Sequence, residues 1–377
     1  MTKLIPITLF AIFMAVMSHL HSEYDPIECR YHRKERLFYT VMAVALIMFA
    51  GLRTDYNDTV TYRKGYDMMS KTTELNSDID WLKIGENPGF AYVLRKMLDF
   101  KFEWQTVSIL FSAFTVGTNL WFFRKYSCNL WLSVLLYIAF AGYIFSMAAI
   151  KQCAAMALCL IATDRAIQKK YLRFLFYVAL AALFHPYALM YLVVPFLFFR
   201  PWSKLTLVML VVFALIGFGL ESLLGSVLSV TDMLGESYNA SSFSGEGVNP
   251  IRLLVVSVPS VLALMTVNQI RENEDKAQYV IVNLTMLNAE IMFVALFGTA
   301  NYFARLANYF IPFQAISIPW LLKMYDYRGR RTMTALATLG YLMFFIYTNA
   351  IHERFDYNYY SVPLWEYLEK LLRGVIY

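Results

Sequence analysis

The chain has 377 residues, of which 59% are hydrophobic and only 16% are charged, whereas soluble domains carry about 25% charged residues. This composition and a mean hydropathy of +0.49 argue against a soluble enzyme, a disordered chain or a nucleic-acid-binding protein. The net charge of +6 comes largely from short basic clusters between apolar runs, as membrane topology requires. The composition predicts an all-α, polytopic integral membrane protein.

Apolar runs recur along the whole chain, and about 20 apolar residues cross a hydrocarbon core of roughly 30 Å. They predict about twelve helices in a single transmembrane domain over residues 1–377. The first run lacks a small-residue cleavage site, so we read it as a retained span and not a signal peptide. The candidate spans are Leu4–Leu20, Leu37–Leu52, Trp104–Phe123, Leu130–Ile150, Gln152–Thr163, Leu172–Phe184, Tyr187–Phe199, Leu205–Leu224, Ile251–Ile270, Tyr279–Phe297, Tyr302–Leu322 and Thr332–Ile351.

The positions of Lys and Arg predict the orientation, because short cytoplasmic loops are enriched in them. Both termini and the long segments 53–103, 225–250 and 352–377 then lie outside the cytoplasm. Segment 53–103 is itself basic, which speaks against this topology, although long loops obey the rule less strictly. The loops that we place in the cytoplasm are 21–36, 124–129, 164–171, 200–204, 271–278 and 323–331.

The three outer segments have sequence features of their own. Apolar residues in Phe90–Phe100 and in Val362–Leu372 are spaced as in amphipathic helices that lie in the membrane interface. Segment 225–250 contains Gly235, Gly245 and Gly247, which indicates a mobile cover over a site.

Ionisable side chains near apolar spans are the main functional candidates, because burying one at mid-bilayer costs roughly 2.5–3.5 kcal/mol. Glu290 lies near the middle of its span. On the predicted topology five others fall at the extracytoplasmic ends of different spans, where they would form an electropositive pocket for a lipid diphosphate. They are Arg53, Asp55, Lys151, His185 and Arg305, and Asn301, Asn308 and Tyr309 share a helix face with the last.

Each candidate also has a simpler structural explanation. Arg53 fits an anchor that snorkels to the headgroups, and so does Arg305, although it has further to reach. Asp55 fits the ion-pair partner of Arg53. Lys151 fits an ordinary turn lysine, and His185, followed by proline, fits a broken helix. Glu290 fits a buried hydrogen-bonding group.

Two short patterns suggest metal chemistry, but both are weak. Asp78-Ile-Asp80 has the form of a metal-binding motif of nucleotide-sugar glycosyltransferases, but so short a pattern is common by chance. Cys29 and His32 have the spacing of half a zinc site, and no second pair of Cys or His ligands follows. We predict no metal and no cofactor.

Several motifs form an ordered set that covers nearly the whole chain. Gly51-Leu-Arg53-Thr-Asp55-Tyr56 and Glu86-Asn-Pro-Gly-Phe90 come first, then Ala149-Ile-Lys151-Gln152, Phe184-His185-Pro and Arg305-Leu-Ala-Asn-Tyr309-Phe310. The set resembles the EpsG-like family, which are Wzy-type membrane proteins of bacterial exopolysaccharide and capsule loci. Lys151 stands where the family usually has arginine, which keeps the charge but loses the bidentate fork.

The resemblance implies a GT-C-like membrane glycosyltransferase of the bacterial plasma membrane. It would polymerise polyprenyl-diphosphate-linked oligosaccharide repeat units on the extracytoplasmic side, where a sugar hydroxyl of one unit displaces the lipid diphosphate of another. Membrane lipids would surround it, and a chain-length regulator or export machinery is a further expected partner. Nucleic acid is not.

The implied roles follow the chemistry of each side chain. Cations stabilise the charge that develops on the leaving diphosphate, and a base removes the proton of the attacking hydroxyl. We predict Arg53, Lys151, Gln152 and Arg305 as diphosphate ligands, Asp55 or His185 as the base, and Asn308, Tyr309 and Tyr56 as substrate-orienting groups. Aromatic residues expected to stack on sugar rings are Tyr56, Tyr62, Trp81, Tyr238 and Phe243.

Two other functions remain open on the sequence alone. A transporter or flippase of lipid-linked oligosaccharides also needs intramembrane charges, and it predicts repeats and charges near the bilayer centre, which only Glu290 matches. A ligase or acyltransferase of surface glycans would use a similar pocket but add a single group.

Overall fold

The computed structural model describes residues 1–25, 30–75, 87–233, 247–297, 300–352 and 354–373. The described part is mostly helical, in agreement with the all-α prediction. Its helices are α1 (Leu4–Leu20), α2 (Leu37–Gly51), α3 (Thr59–Leu75), α4 (Pro88–Asp99), α5 (Trp104–Tyr126), α6 (Leu130–Ala139), α7 (Gly142–Ala148), α8 (Ile150–Ile167), α9 (Tyr171–Ala182), α10 (Lys204–Phe218), α11 (Leu220–Met233), α12 (Pro250–Met265), α13 (Val267–Glu272), α14 (Lys276–Val294), α15 (Ala300–Asn308), α16 (Ile311–Lys323), α17 (Tyr327–Ile346), α18 (Phe355–Asn358) and α19 (Leu364–Leu372).

Four short strands and two irregular helical segments complete the described fold. Strands β1 (Glu23–Asp25) and β2 (Arg30–Arg33) form one antiparallel pair. Strands β3 (Arg53–Asp55) and β4 (Tyr360–Ser361) form another, in which Arg53 opposes Ser361 and Asp55 opposes Tyr360. A 3₁₀ segment (Pro186–Phe196) follows α9, and a π-helical turn (Tyr347–His352) follows α17. The second strand pair ties the C-terminal tail to the segment that follows α2.

Three helices of the described chain are long and apolar enough to cross a membrane: Trp104–Tyr126, Lys276–Val294 and Tyr327–Ile351. The bent pair α6 and α7, which meet at 51°, makes a fourth if it counts as one span. Six further apolar helices have 10–17 residues. These helices fit a membrane protein, whereas the number of twelve spans and the GT-C likeness stay predictions.

Several predicted spans are interrupted, and the interruptions matter for the site. Span 130–150 divides at Ala141, whose φ of 62° lies in the left-handed region. Span 302–322 divides after Asn308 into α15 and α16, and span 251–270 divides at Thr266. The prediction of a regular helix over 187–199 is wrong, because Pro186–Phe196 is a 3₁₀ segment; Pro195 within it lacks the backbone N–H that a helix interior needs.

The core of the bundle surrounds α14 and α16, which are buried along most of their length. Helix α14 packs against α10, α12, α15 and α16. The two outer amphipathic segments form helices where the sequence predicts them, as α4 and α19. The breaks at Ala141 and after Asn308 lie beside each other and open a pocket between the broken helices.

Candidate functional site

A pocket of about 750 Å³ opens where several broken or terminating elements meet. Its charged lining residues in the described chain are two arginines, Arg252 and Arg305, and no carboxylate lines it there. Asn249, Asn308 and Tyr347 add polar groups. Apolar side chains make up much of the remaining lining: Phe140, Ile144, Phe145, Val256, Ile311 and Phe344. One cavity therefore combines cationic and apolar lining, which suits an amphiphile with an anionic headgroup.

Arg305 is the exposed cation of this pocket. Its backbone is fixed because Gln152 Nε2 donates a hydrogen bond of 2.8 Å to its carbonyl oxygen. Its guanidinium forms no hydrogen bond or ion pair with any residue that the structure describes. The side chain is therefore held at its base and available at its tip, an arrangement that suits an incoming anion.

Arg252 is the second pocket cation, and it is absent from the sequence-based prediction. It lies in the first turn of α12, and its Nη2 donates to Asn308 Oδ1 at 2.7 Å. Asn249 caps this helix by accepting from Ile251 N at 2.9 Å, and it donates to Tyr347 Oη at 2.8 Å. The available signal was an arginine at the start of the predicted apolar span 251–270, and the reasoning that selected the other charged residues near span ends applies to it as well.

His185 and Tyr309 form a buried hydrogen-bonded pair at the end of α15. A hydrogen bond of 2.9 Å joins Tyr309 Oη to His185 Nδ1, and Tyr191 Oη donates to the Tyr309 carbonyl at 2.7 Å. Tyr309 is fully buried and His185 is 4% exposed. Tyr309 therefore faces His185, whereas Arg305 and Asn308 line the pocket. Lys151 and Arg305 are both close enough to His185 to act on it electrostatically.

Residues 87–90 of the Glu86-Asn-Pro-Gly-Phe90 motif dock beside the histidine. When the Asn87 amide is oriented so that both of its atoms are bonded, its nitrogen donates to the Phe184 carbonyl at 2.8 Å. Its oxygen then accepts from Lys151 Nζ at 3.0 Å. Gly89 N donates to the Leu183 carbonyl at 2.8 Å. The motif thus holds the lysine against the turn that carries His185.

Replacing Gly89 by alanine is expected to loosen this docking. A Cβ at position 89 would lie 2.8 Å from Leu183 Cβ and 3.0 Å from its carbonyl oxygen, so the two backbones must separate. Loss of the hydrogen bond and repacking should cost about 1–3 kcal/mol, measured as a lower thermal unfolding midpoint in detergent. Gly65→Ala on α3 is the matched control, because nothing lies within 4 Å of its added Cβ. Equal midpoints for the two variants would contradict the docking.

Arg53 is buried away from the pocket. It is 1% exposed, and its Nε donates to Thr59 Oγ1 at 3.1 Å. Its Nη1 donates to Ser112 Oγ at 3.2 Å and to the Ala50 carbonyl. Thr59 Oγ1 in turn donates to the Tyr56 carbonyl at 2.7 Å. Arg53 therefore joins α2, α5 and the start of α3, and it fixes the turn that brings Tyr56 to the pocket.

Asp55 follows on the same strand and is partly buried. It forms no ion pair with Arg53, so the explanation of the two as a simple surface pair does not hold. It does not line the pocket, although the next two residues, Tyr56 and Asn57, do. Lys151 also lies outside the lining, and Tyr62 lies near its backbone.

A second cleft, of about 830 Å³, also borders β3, where Thr54 lines it. Its rim carries charges of both signs, from Arg63, Asp67, Lys101, Glu103 and Lys370. Its floor includes Tyr66, Trp104 and Tyr367. Unlike the arginine pocket, it offers both hydrogen-bond donors and charged acceptors.

The sequence matches the model of the EpsG family over residues 36–363. The chain belongs to the EpsG family. Membership links it to exopolysaccharide-related polymerases and to polysaccharide biosynthesis at a membrane. No curated protein and no solved structure matches the sequence. The matched range contains every residue of the arginine pocket and of the Lys151–His185 cluster.

The predicted site residues of this EpsG-family protein fall into three groups. Tyr56, Arg305 and Asn308 line the arginine pocket. Gln152 bonds to the Arg305 backbone, His185 bonds to Tyr309, and Lys151 lies beside the turn that carries His185. Arg53 and Asp55 lie on β3, outside the pocket lining. Glu290 lies in a separate cavity. Several predicted features lie outside the described residues: the stacking residues Trp81, Tyr238 and Phe243, Asp78-Ile-Asp80, Cys29, and residues 234–246, which are half of the proposed cover 225–250.

Proposed function

We propose that this EpsG-family protein polymerises polyprenyl-diphosphate-linked oligosaccharide repeat units into a surface polysaccharide. The observation that carries the proposal is the arginine pocket, whose described lining combines Arg252 and Arg305 with many apolar side chains and contains no carboxylate. A lipid diphosphate matches both kinds of lining, because it has an anionic headgroup and an apolar tail. Arginine suits the headgroup because its planar fork bonds phosphate oxygens in pairs and stays ionised.

The proposed reaction is a displacement at the anomeric carbon of the donor unit. A hydroxyl oxygen of the acceptor sugar forms the new glycosidic bond, and the bond from the anomeric carbon to the diphosphate oxygen breaks. The lipid diphosphate leaves with the bonding electron pair. Arg305 and Arg252 lie where this negative charge would develop, and Lys151 adds a third cation nearby, so fixed charges would stabilise the transition state.

The proton of the attacking hydroxyl goes to Asp55 or His185. His185 already shares its Nδ1 with Tyr309, which would leave Nε2 for the proton. Asp55 is partly buried and lies next to the pocket residue Tyr56. Both stay candidates for the base. Gln152 and Asn308 would act by holding the Arg305 backbone and the Arg252 side chain.

The second cleft suits the acceptor saccharide. Sugar hydroxyls both donate and accept hydrogen bonds, and the rim of this cleft offers cationic donors and carboxylate acceptors together. The segment of β3 and its following turn borders both cavities, since Thr54 lines this cleft and Tyr56 lines the arginine pocket. We place both cavities on the extracytoplasmic side of the bacterial plasma membrane, as the basic loops predict.

Purified protein incubated with a lipid-linked repeat unit is expected to produce a ladder of products, because each product chain still carries a lipid diphosphate. Gel electrophoresis of the released saccharides measures the ladder. A single addition would favour a ligase or acyltransferase instead. No new glycosidic bond, together with movement of the unit across vesicle membranes, would favour a transporter.

A further inference from the structure

Glu290 lies in a cavity of its own, outside the machinery proposed above. It is on α14, is 4% exposed, and lines a cavity of about 260 Å³ between α10, α12 and α14. Helix α12 separates this cavity from the arginine pocket: Arg252 and Val256 line the pocket, whereas Leu253 and Ser257 line the cavity.

Three buried polar atoms in this cavity lack partners in the described structure. They are both carboxyl oxygens of Glu290 and the hydroxyl oxygen of Ser260. The buried carboxyl of Asp164 is the contrast, because it accepts hydrogen bonds from Tyr126 Oη and Gln168 Nε2 at 2.7 Å each and pairs with Lys125. A buried carboxyl without a partner costs several kcal/mol when ionised and is held neutral instead. The Glu290 cavity therefore offers hydrogen-bonding capacity that the protein itself leaves unused.

The cavity walls restrict what can use this capacity. No Lys, Arg or His is among the cavity-lining residues that the structure describes, so an anion would find no counter-charge. The remaining walls are largely apolar and include Leu210, Phe213 and Phe293. Helix α10 turns its other face outward, with Leu207 and Val211 exposed, as expected of a helix next to lipid. A neutral carboxyl both donates and accepts, which complements a hydroxyl group.

We propose that the Glu290 cavity binds a neutral alcohol dissolved in the membrane, whose hydroxyl pairs with the Glu290 carboxyl while its chain lies on the apolar walls. The proposal does not depend on the polymerase function, because none of the proposed substrate ligands lines this cavity. It gives Glu290, the one residue that matches the transporter hypothesis, a role in binding a ligand from the lipid phase.

The test uses dicyclohexylcarbodiimide, an apolar reagent that reaches carboxyls from the membrane. The carboxyl oxygen attacks its central carbon while the carboxyl proton moves to nitrogen, and mass spectrometry of peptides locates the adduct. Glu290 is expected to be labelled and Asp164 to remain unlabelled. Farnesol should slow labelling of Glu290 about tenfold, and farnesane, the hydrocarbon without the hydroxyl, should not.

Direct binding of radiolabelled farnesol to purified protein supplies the second measurement. Glu290→Leu should bind about tenfold more weakly than wild type, and Glu290→Gln, which keeps a donor and an acceptor, should retain most of the affinity. Equal protection by farnesol and farnesane would overturn the proposal, because the apolar walls alone would then account for binding. So would the absence of protection, which indicates a water-filled cavity, or the absence of labelling at Glu290.

Discussion

Replacing Arg305 by alanine is expected to abolish the ladder of polymer products while the protein still inserts and folds. Its guanidinium lines the pocket and forms no bond with a described residue, so its removal leaves no buried group unsatisfied. Removing one preorganised group that stabilises developing negative charge costs about 10²–10³ in rate. Product ladders from equal amounts of purified wild-type and variant protein measure this loss.

Two further variants sharpen this experiment. Arg305→Lys keeps the charge but loses the bidentate fork, so an intermediate rate is expected. Arg328→Ala is the matched control, because Arg328 is also exposed but lies at the opposite end of α17 from the pocket. The pocket residue Tyr347 follows the last residue of that helix, about 28 Å from Arg328 along the helix axis. Full-length polymer from Arg305→Ala would remove Arg305 from the mechanism and leave the arginine pocket without a function.

The sequence predicts the helical segments well and their interruptions poorly. Length and hydropathy locate α1 and α5 to within a few residues, because a membrane-spanning helix needs an unbroken apolar run. The break at Ala141 has no such signal, since alanine favours helix and its left-handed conformation depends on packing around it. The break after Asn308 does have a local signal, because Pro312, in the first turn of α16, lacks the backbone N–H that would bond to the Asn308 carbonyl. Both breaks border the pocket, so local sequence encodes only part of the feature that shapes the site.

The positions of the site residues could also be predicted only in part from the sequence. Spacing on one helix face predicts that Arg305 and Asn308 share a surface, and both line the pocket. The same spacing groups Tyr309 with them, but the helix ends there and Tyr309 faces His185 instead. Arg53 was predicted as a ligand because its charge lies near the end of a span. Whether such a side chain faces a ligand or the core depends on residues that are distant in sequence, such as Ser112, which accepts a hydrogen bond from Arg53.

Replacing Arg53 is expected to lower the stability of the protein without weakening ligand binding. Arg53→Ala should lower the free energy of unfolding by about 2–4 kcal/mol, because it leaves buried oxygen acceptors at Ala50, Thr59 and Ser112 unsatisfied. Arg53→Met keeps most of the side-chain volume but donates no hydrogen bond, so its free energy of unfolding should be lower by a similar amount. Thermal unfolding in detergent measures both variants, and a midpoint several degrees below that of wild type is expected.

Binding of farnesyl diphosphate, measured well below these midpoints, separates a positioning role from a direct one. Folded Arg53→Ala protein should bind it with nearly wild-type affinity, because Arg53 is not part of the pocket lining. Arg305→Ala should show the reverse, with a wild-type midpoint and binding weakened at least about tenfold. An Arg53→Ala variant with unchanged unfolding but lost binding would contradict this assignment. In that case Arg53 would contact the diphosphate, and the turn that carries Tyr56 would have to open when the ligand binds.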